Sequence, residues 1–277
     1  VSATACRGYL AAADDAGLLQ HLHGHPFVAG ERHDPLLEER QLLIEFCATE
    51  LLTVPHRFAE VLELASHGAP SADAIMVRAP ESVRLPGPWR RHTTYVQCSG
   101  PLRATPSPAQ GLTVRRAEPG QDDADVARRL TQAFVDGSAD HGVTADGGVA
   151  GDLAREFLDA PDRVSYVACL DGRVIGHATL LCAADDPVTG RQYVDLVDVL
   201  VEAEDAVRRQ ATGMLTEAAS VHAHGLELPL LGSVIHPASP SGPGDGDRIV
   251  TSLVARGWAI DHVFWHLPGA NGEKDGT

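Results

Sequence analysis

The sequence predicts an α/β (α+β) chain: a mixed, mainly antiparallel sheet flanked by helices, preceded by a mainly helical N-terminal region. Three observations carry this. Asp171-Gly172 separates two apolar runs, 163–170 and 173–182, and Asp-Gly between such runs is the strongest short-range hairpin signal. Tyr193–Val201 is apolar on both faces, as a strand covered on both sides is. Beyond it, Met214, Leu215, Ala218 and Ala219 take up helical spacing.

The N-terminal region reads as helix over Tyr9–His23, ending at Gly24, and again over Asp34–Leu52, where Leu37, Leu43, Ile44, Cys47 and Leu51 form a stripe. Pro55–His67 opens with a proline in its first turn and stops at Gly68, the usual asymmetry of helix ends. Strands follow at Ala74–Val77 and Thr93–Gln97. Leu102–Gly111 holds two prolines and small residues without apolar period, so it reads as a linker. The expected division is 1–101 as N-terminal domain, 102–111 as linker, 112–268 as second domain and 269–277 as a disordered tail.

In the second domain Leu112–Ala117 alternates as a strand, and Asp122–Val135 places Val126, Leu130 and Phe134 four apart on a helix. Val149–Leu158 is a further helix, followed by the hairpin, the long strand Tyr193–Val201 and a helix ending at Gly225. Leu228–Ile235 is a strand, Asp247–Arg256 a helix capped by Gly257, and Ala259–Leu267 a final strand.

With 277 residues and 44% hydrophobic content the chain can bury a sizeable core. A net charge of −16 argues against nucleic-acid binding, whose affinity rests on neutralising phosphates, and steers cations toward the protein. The five cysteines are scattered and form no CxxC pair, the pattern of a reducing compartment, and we expect a cytoplasmic protein. No apolar run approaches the roughly 18 residues of a membrane span, and no basic-then-apolar leader opens the sequence, so no membrane partner is expected. His21, His23 and His25 lack cysteine or carboxylate partners at metal spacing and read as a solvated helix end; no metal is expected.

Between the long strand and its helix, Arg208-Arg209-Gln210-Ala211-Thr212-Gly213 sits where a helix begins. Free N–H groups, the helix dipole and two guanidiniums suit that place to a phosphate. Neither a GxGxxG nor a GxxxxGK[ST] loop is present, which argues against an ordinary nucleotide-binding α/β protein.

The order of elements from Leu112 to about Pro268 resembles the GNAT superfamily of acyl-CoA-dependent N-acyltransferases. Three signatures carry the resemblance: Asp171-Gly172-Arg173-Val174-Ile175-Gly176-His177-Ala178 at the hairpin, Val199-Leu200-Val201 leading to Arg208–Leu215, and Ala255-Arg256-Gly257-Trp258 near the end. The second is similar to the family's R/Q-x-x-G-x-G/A pyrophosphate loop, opened either by Arg208, with Ala211 in place of the first glycine, or by Gln210, with Leu215 in place of the last small residue. Leu253 stands where many members carry a tyrosine, and Ser252 is its weak substitute.

The resemblance implies acetyl-CoA or another acyl-CoA as substrate and an amine of a small molecule or peptide as acceptor, acetylated by direct attack; it also admits a homodimer. Backbone N–H groups of Arg208, Arg209, Gln210, Ala211, Thr212, Gly213 and Met214 would hold the pyrophosphate, and Val199, Leu200 and Val201 would offer a strand edge to the pantetheine. That requires Leu228–Ile235 to splay from the long strand. The N–H near Val199 or Leu200 would face the developing oxyanion. Candidate bases are Asp198, the first choice, and Asp195; on a regular strand they point to opposite faces unless a bulge intervenes. His236, just past a strand end, is a further base or proton shuttle. Two readings stay beside the transferase: a non-catalytic acyl-CoA-binding module and a GNAT-fold acyl-CoA decarboxylase. The first 101 residues are either a degenerate first GNAT copy or a helical cover for the acceptor site.

Overall fold

The computed structural model describes residues 6–102, 109–238 and 245–269. Residues 103–108 of the expected linker and 270–277 of the expected tail lie outside them. The chain forms two compact units. One gathers the chain up to Thr94, Asp186–Arg191 and the segment from Ile260; the other comprises Tyr95–Asp185 and Gln192–Ala259.

The first unit begins with α1 (Arg7–Asp15), β1 (Leu19–Leu22), β2 (His25–Asp34) and β3 (Glu39–Cys47). Then come α2 (Thr49–Leu52), α3 (Pro55–Gly68), β4 (Ala74–Pro80) and β5 (Arg90–Cys98), whose last residues enter the other unit. The mainly helical N-terminal region expected from spacing is therefore corrected: this region is rich in strand. The reading Tyr9–His23 as one helix fails because α1 stops at Asp15 and Gly17 turns the chain at φ 71°. His23 and Gly24, at φ 50° and 79°, then make the two-residue turn that pairs β1 with β2 antiparallel. The reading Asp34–Leu52 as helix fails because β3 is paired along both edges, antiparallel to β2 and parallel to β4. A strand so placed buries consecutive residues, here Gln41 and Leu42, and its apolar pattern mimics a helical stripe. The helix α3 forms where the proline and glycine signals place it, burying Phe58, Val61 and Ala65 against a core that includes Phe27, Ile44 and Val77.

Within this unit Arg78 on β4 donates from both terminal nitrogens to Asp186, at 2.8 and 2.6 Å, with both side chains largely buried. Val188 N–H also donates to Asp186, and Arg191 donates to Asp261 at 2.6 Å. The Arg78 guanidinium and these hydrogen bonds hold the Asp186 carboxyl well below the usual carboxylate range, against the opposing effect of burial. From Ile260 onward β11 (Ala259–Pro268) belongs to this unit, with His262–Pro268 antiparallel to β4.

The second unit contains β6 (Leu112–Arg116), α4 (Asp123–Asp140), α5 (Gly147–Asp159), β7 (Arg163–Leu170), β8 (Arg173–Asp185), β9 (Gln192–Val201), α6 (Asp205–Gly225), β10 (Leu230–Ile235) and α7 (Asp245–Val254). The strands β6, β7, β8 and β9 pair antiparallel in that order, and β10 adds parallel to β9. The expected mixed, mainly antiparallel sheet is present. Asp171 and Gly172, at φ 49° and 79°, make the β7–β8 turn as expected. On one face α6 buries Ala211, Leu215, Ala219 and Ala223, four residues apart, with Ala211 and Leu215 packed against Ala168, Ala178 and Val201. On α4, Val126 packs against Val167 and Cys169. Asp146 caps α5 by accepting from Gly148 N–H at 2.7 Å and Val149 N–H at 3.1 Å. No helix among the described residues is long and apolar enough to cross a membrane.

Two details of β9 position the site. Thr179 pairs with Asp198 and Leu180 with Leu196, which leaves Val197 as an extra residue, a β-bulge. Against β10 the register holds only for Val194, Asp195 and Leu196, opposite Leu230, Leu231 and Gly232.

Candidate active site

Beyond Gly232↔Leu196, β9 and β10 part. Val197–Leu200 and Gly232–Ile235 line a cavity of about 540 Å³, closed by Phe134 and Gly137 of α4, Ile249 and Leu253 of α7, and Trp258. A larger cavity, about 1120 Å³, runs beside the first half of α6 and the end of α7. Arg208, Arg209, Gln210, Thr212 and Gly213 line it from α6, with Arg256 and Gly257 opposite. Thr216, Leu253 and Trp258 line both cavities.

The phosphate-binding expectation needs a correction. Helix α6 starts at Asp205, and Arg208 N–H donates to Glu204 C=O at 2.8 Å. The amides of Arg208–Met214 therefore lie within the helix, and its uncommitted N–H groups fall at Asp205–Val207. Glu204 and Asp205 supply negative charge that stabilises this helix start, and Arg208 pairs with Asp205. Side chains are left to meet an anion. Arg208, Arg209, Gln210, Thr212 and Gly213 reach the large cavity. Ala211 and Met214 pack on the core side, as does Val201. Val199 and Leu200 line the cleft.

Asp198 lines the cleft, and its Oδ2 lies 3.2 Å from Nε2 of His177, which is fully buried. Asp195 and Asp198 share a face, because the bulge sets them opposite Leu181 and Thr179, two residues apart on β8. Burial pushes the Asp195 carboxyl up to about 6. A carboxyl raised in this way favours the fold below its unfolded range and loses that contribution as pH rises toward 6. Asp195→Asn is accordingly expected to raise stability by about 2 kcal/mol at pH 7.5 and by little at pH 4, read by urea unfolding at both pH values. His236 is nearly buried past the end of β10, 3.7 Å from Asp247, and Gly246 crosses so closely that a Cβ there would lie 2.6 Å from its Nδ1. It does not line the cleft, and Ser252 is exposed and lines neither cavity, whereas Leu253 lines both.

No protein-family model and no curated protein matches the chain. Solved structures do. A GCN5-related N-acetyltransferase from Sphaerobacter thermophilus superposes with a TM-score of 0.53 at 15% identity, covering 87% of this chain and 76% of that one. The chain has the fold of the GCN5-related N-acetyltransferases. A GCN5-related N-acetyltransferase from Kribbella flavida gives 0.43 at 13% identity over 98% and 97%. A tandem GNAT protein from the clavulanic acid biosynthesis pathway, without AcCoA, gives 0.44 at 15% over 90% and 81%.

On this GCN5-related fold the cleft has a distinct electrostatic character. Asp136 and Asp140, one turn apart on α4, line it with Asp198, and no Lys, Arg or His is among its lining residues. Sequence reading did not single out these two aspartates or His177. A histidine inside the apolar run Val174–Leu181 was the available signal, since a buried imidazole needs a partner. The arrangement can receive a cationic group beside a carboxylate, and an extended amide chain along a strand edge.

Proposed function

We propose that the chain transfers an acyl group, acetyl in the first instance, from acyl-CoA to an amine of a small molecule or peptide. The observation that carries this reading is the parting of β9 from β10, which leaves a strand edge between a cavity with three arginines and a cleft with three aspartates. The pantetheine amides would bond the edge at Val199–Leu200. Arg208, Arg209 and Arg256 would meet the phosphates by side chain, in place of helix amides. Asp136 and Asp140 would attract the ammonium, and Asp198 would take its proton. The amine nitrogen then forms a bond to the thioester carbon, a β9 N–H stabilises the oxyanion, the C–S bond breaks, and the thiolate leaves to be protonated.

Calorimetry with acetyl-CoA, followed by thiol release against a panel of amines, tests the reading. We expect binding that weakens with added salt, and at least about tenfold weaker binding in the Arg208→Ala/Arg209→Ala/Arg256→Ala variant. Absence of binding by any acyl-CoA sinks the proposal. Binding without turnover supports the second reading, a non-catalytic acyl-CoA module.

A further inference from the structure

Four polar side chains cross three strands in a line. Ser165 on β7 pairs directly with Thr179 on β8, and their hydroxyl oxygens are 3.2 Å apart. Thr179 Oγ1 is 3.0 Å from Nδ1 of His177, and Nε2 of the same ring is 3.2 Å from Asp198 Oδ2. Ser165, Thr179 and His177 are 4%, 0% and 0% exposed. Among the described residues, His177 Nε2 and Asp198 Oδ2 are buried and form no hydrogen bond, not even with each other across their 3.2 Å separation. Polar atoms in an apolar sheet are costly unless paired, and a shared proton is what this pair lacks. The line ends in openings on both sides. Asp198 lines the cleft, and Ser165 lines a separate cavity of about 410 Å³ beside Arg116, Asp123 and Arg163.

We propose that Asp198, His177, Thr179 and Ser165 are a proton relay that carries the acceptor's proton from the cleft to this second opening. The inference rests on the acyltransfer reading for the source of the proton. Asp198 takes a proton from the ammonium and passes it to His177 Nε2. The Nδ1 proton moves to Thr179 as the Thr179 hydroxyl proton moves to Ser165, whose own proton leaves to water. One proton enters and one leaves; rotation of the hydroxyls and return of the ring from its Nε2–H to its Nδ1–H tautomer restore the start. Charged groups of the packed elements flank this line. Arg129 of α4 donates to Asp125 and to Val174 C=O and lies 3.1 Å from Glu202. Arg163 of β7 donates to Asp123 and, at 3.4 Å, to Ser165 Oγ; Asp195 of β9 is a further carboxylate on this face, and Asp136 and Asp140 of α4 line the cleft beside Asp198. Helix α5 turns Ala150 and Ala154 inward, and His222 of α6 meets Tyr166 on the opposite face.

Thr179→Val removes the central hydroxyl while touching neither cavity. It is expected to lower kcat about tenfold or more with KM unchanged and to raise the solvent deuterium isotope effect, with Thr179→Ser restoring both. A wild-type kcat and isotope effect in Thr179→Val overturns the relay. A second measurement does not depend on turnover. Nitrogen NMR of the His177 ring in the full chain should show its resonances displaced by Asp198→Asn and, separately, by Ser165→Ala. Resonances indifferent to both substitutions overturn the relay even in an active enzyme. If the wild type turns over no acyl-CoA while both substitutions displace the ring, the connected path stands and the acyltransfer reading falls.

Discussion

On the proposed reading, Asp198→Asn is expected to lower turnover about a hundredfold or more while acyl-CoA affinity stays at the wild-type level. The carboxylate lines the cleft and not the arginine cavity, so its loss would remove the proposed proton acceptor and leave the proposed phosphate contacts in place. A hundredfold is the ordinary worth of a positioned base. Asparagine keeps the shape and the strand pairing with Thr179, so folding is not at stake. Steady-state kinetics on an amine substrate, paired with calorimetry, checks both halves. Normal turnover in this variant removes Asp198 from the chemistry. His236→Ala serves as the contrast: that ring stands outside the cleft and its loss should leave kcat unchanged.

Arg78→Met is expected to cost about 3–5 kcal/mol of stability in the first unit, the usual cost of breaking one side of a buried ion pair. The Asp186 carboxylate would be left buried with the donors of Val188 and Thr189 in place of a cation. The double variant Arg78→Met/Asp186→Leu should recover most of the loss, because the burial cost of both charges disappears together. The pH dependence has a definite sign. In the wild type the depressed carboxyl contributes stability above the ordinary carboxylate range and loses it as pH falls through its folded value. In Arg78→Met the partner is gone, burial of Asp186 is opposed only by the hydrogen bonds from Val188 and Thr189, and the deficit should shrink on acidification. Urea unfolding at pH 4 and 7 distinguishes the two profiles.

The second unit was legible because its signals are local. Asp171-Gly172 requires two residues at positive φ, and that turn fixes β7 against β8 before any tertiary contact is considered. Helix α3 was legible for the same reason, through Pro55 and Gly68. The first unit was misread because its signals are tertiary. Leu43 and Ile44 read as part of a helical stripe, yet the pairing of β3 with two neighbours decides their conformation. His23-Gly24 read as a helix end, because a glycine after an apolar spacing serves a helix C-terminus as well as it serves a hairpin turn. At the site, Asp198 was legible as a carboxylate in an apolar strand. The start of α6 was not, although Glu204-Asp205 carries the acidic first turn of a helix. His177 was hidden because its partner lies on the adjacent strand, a relation that no spacing within β8 expresses.

The extra residue at Val197 gives β9 an arithmetic of its own. A strand alternates between two faces, so its residues behave like odd and even numbers, and one insertion exchanges the classes for everything on one side of it. Asp195 and Asp198 stand on one face only because their separation of three is odd and the bulge makes it effectively even. Point substitution therefore cannot separate them, but loss of a single codon can. Deleting Val197 would keep every titratable group of the cleft and send one of the two aspartates to the α6 side, so in this strand length is under tighter constraint than composition.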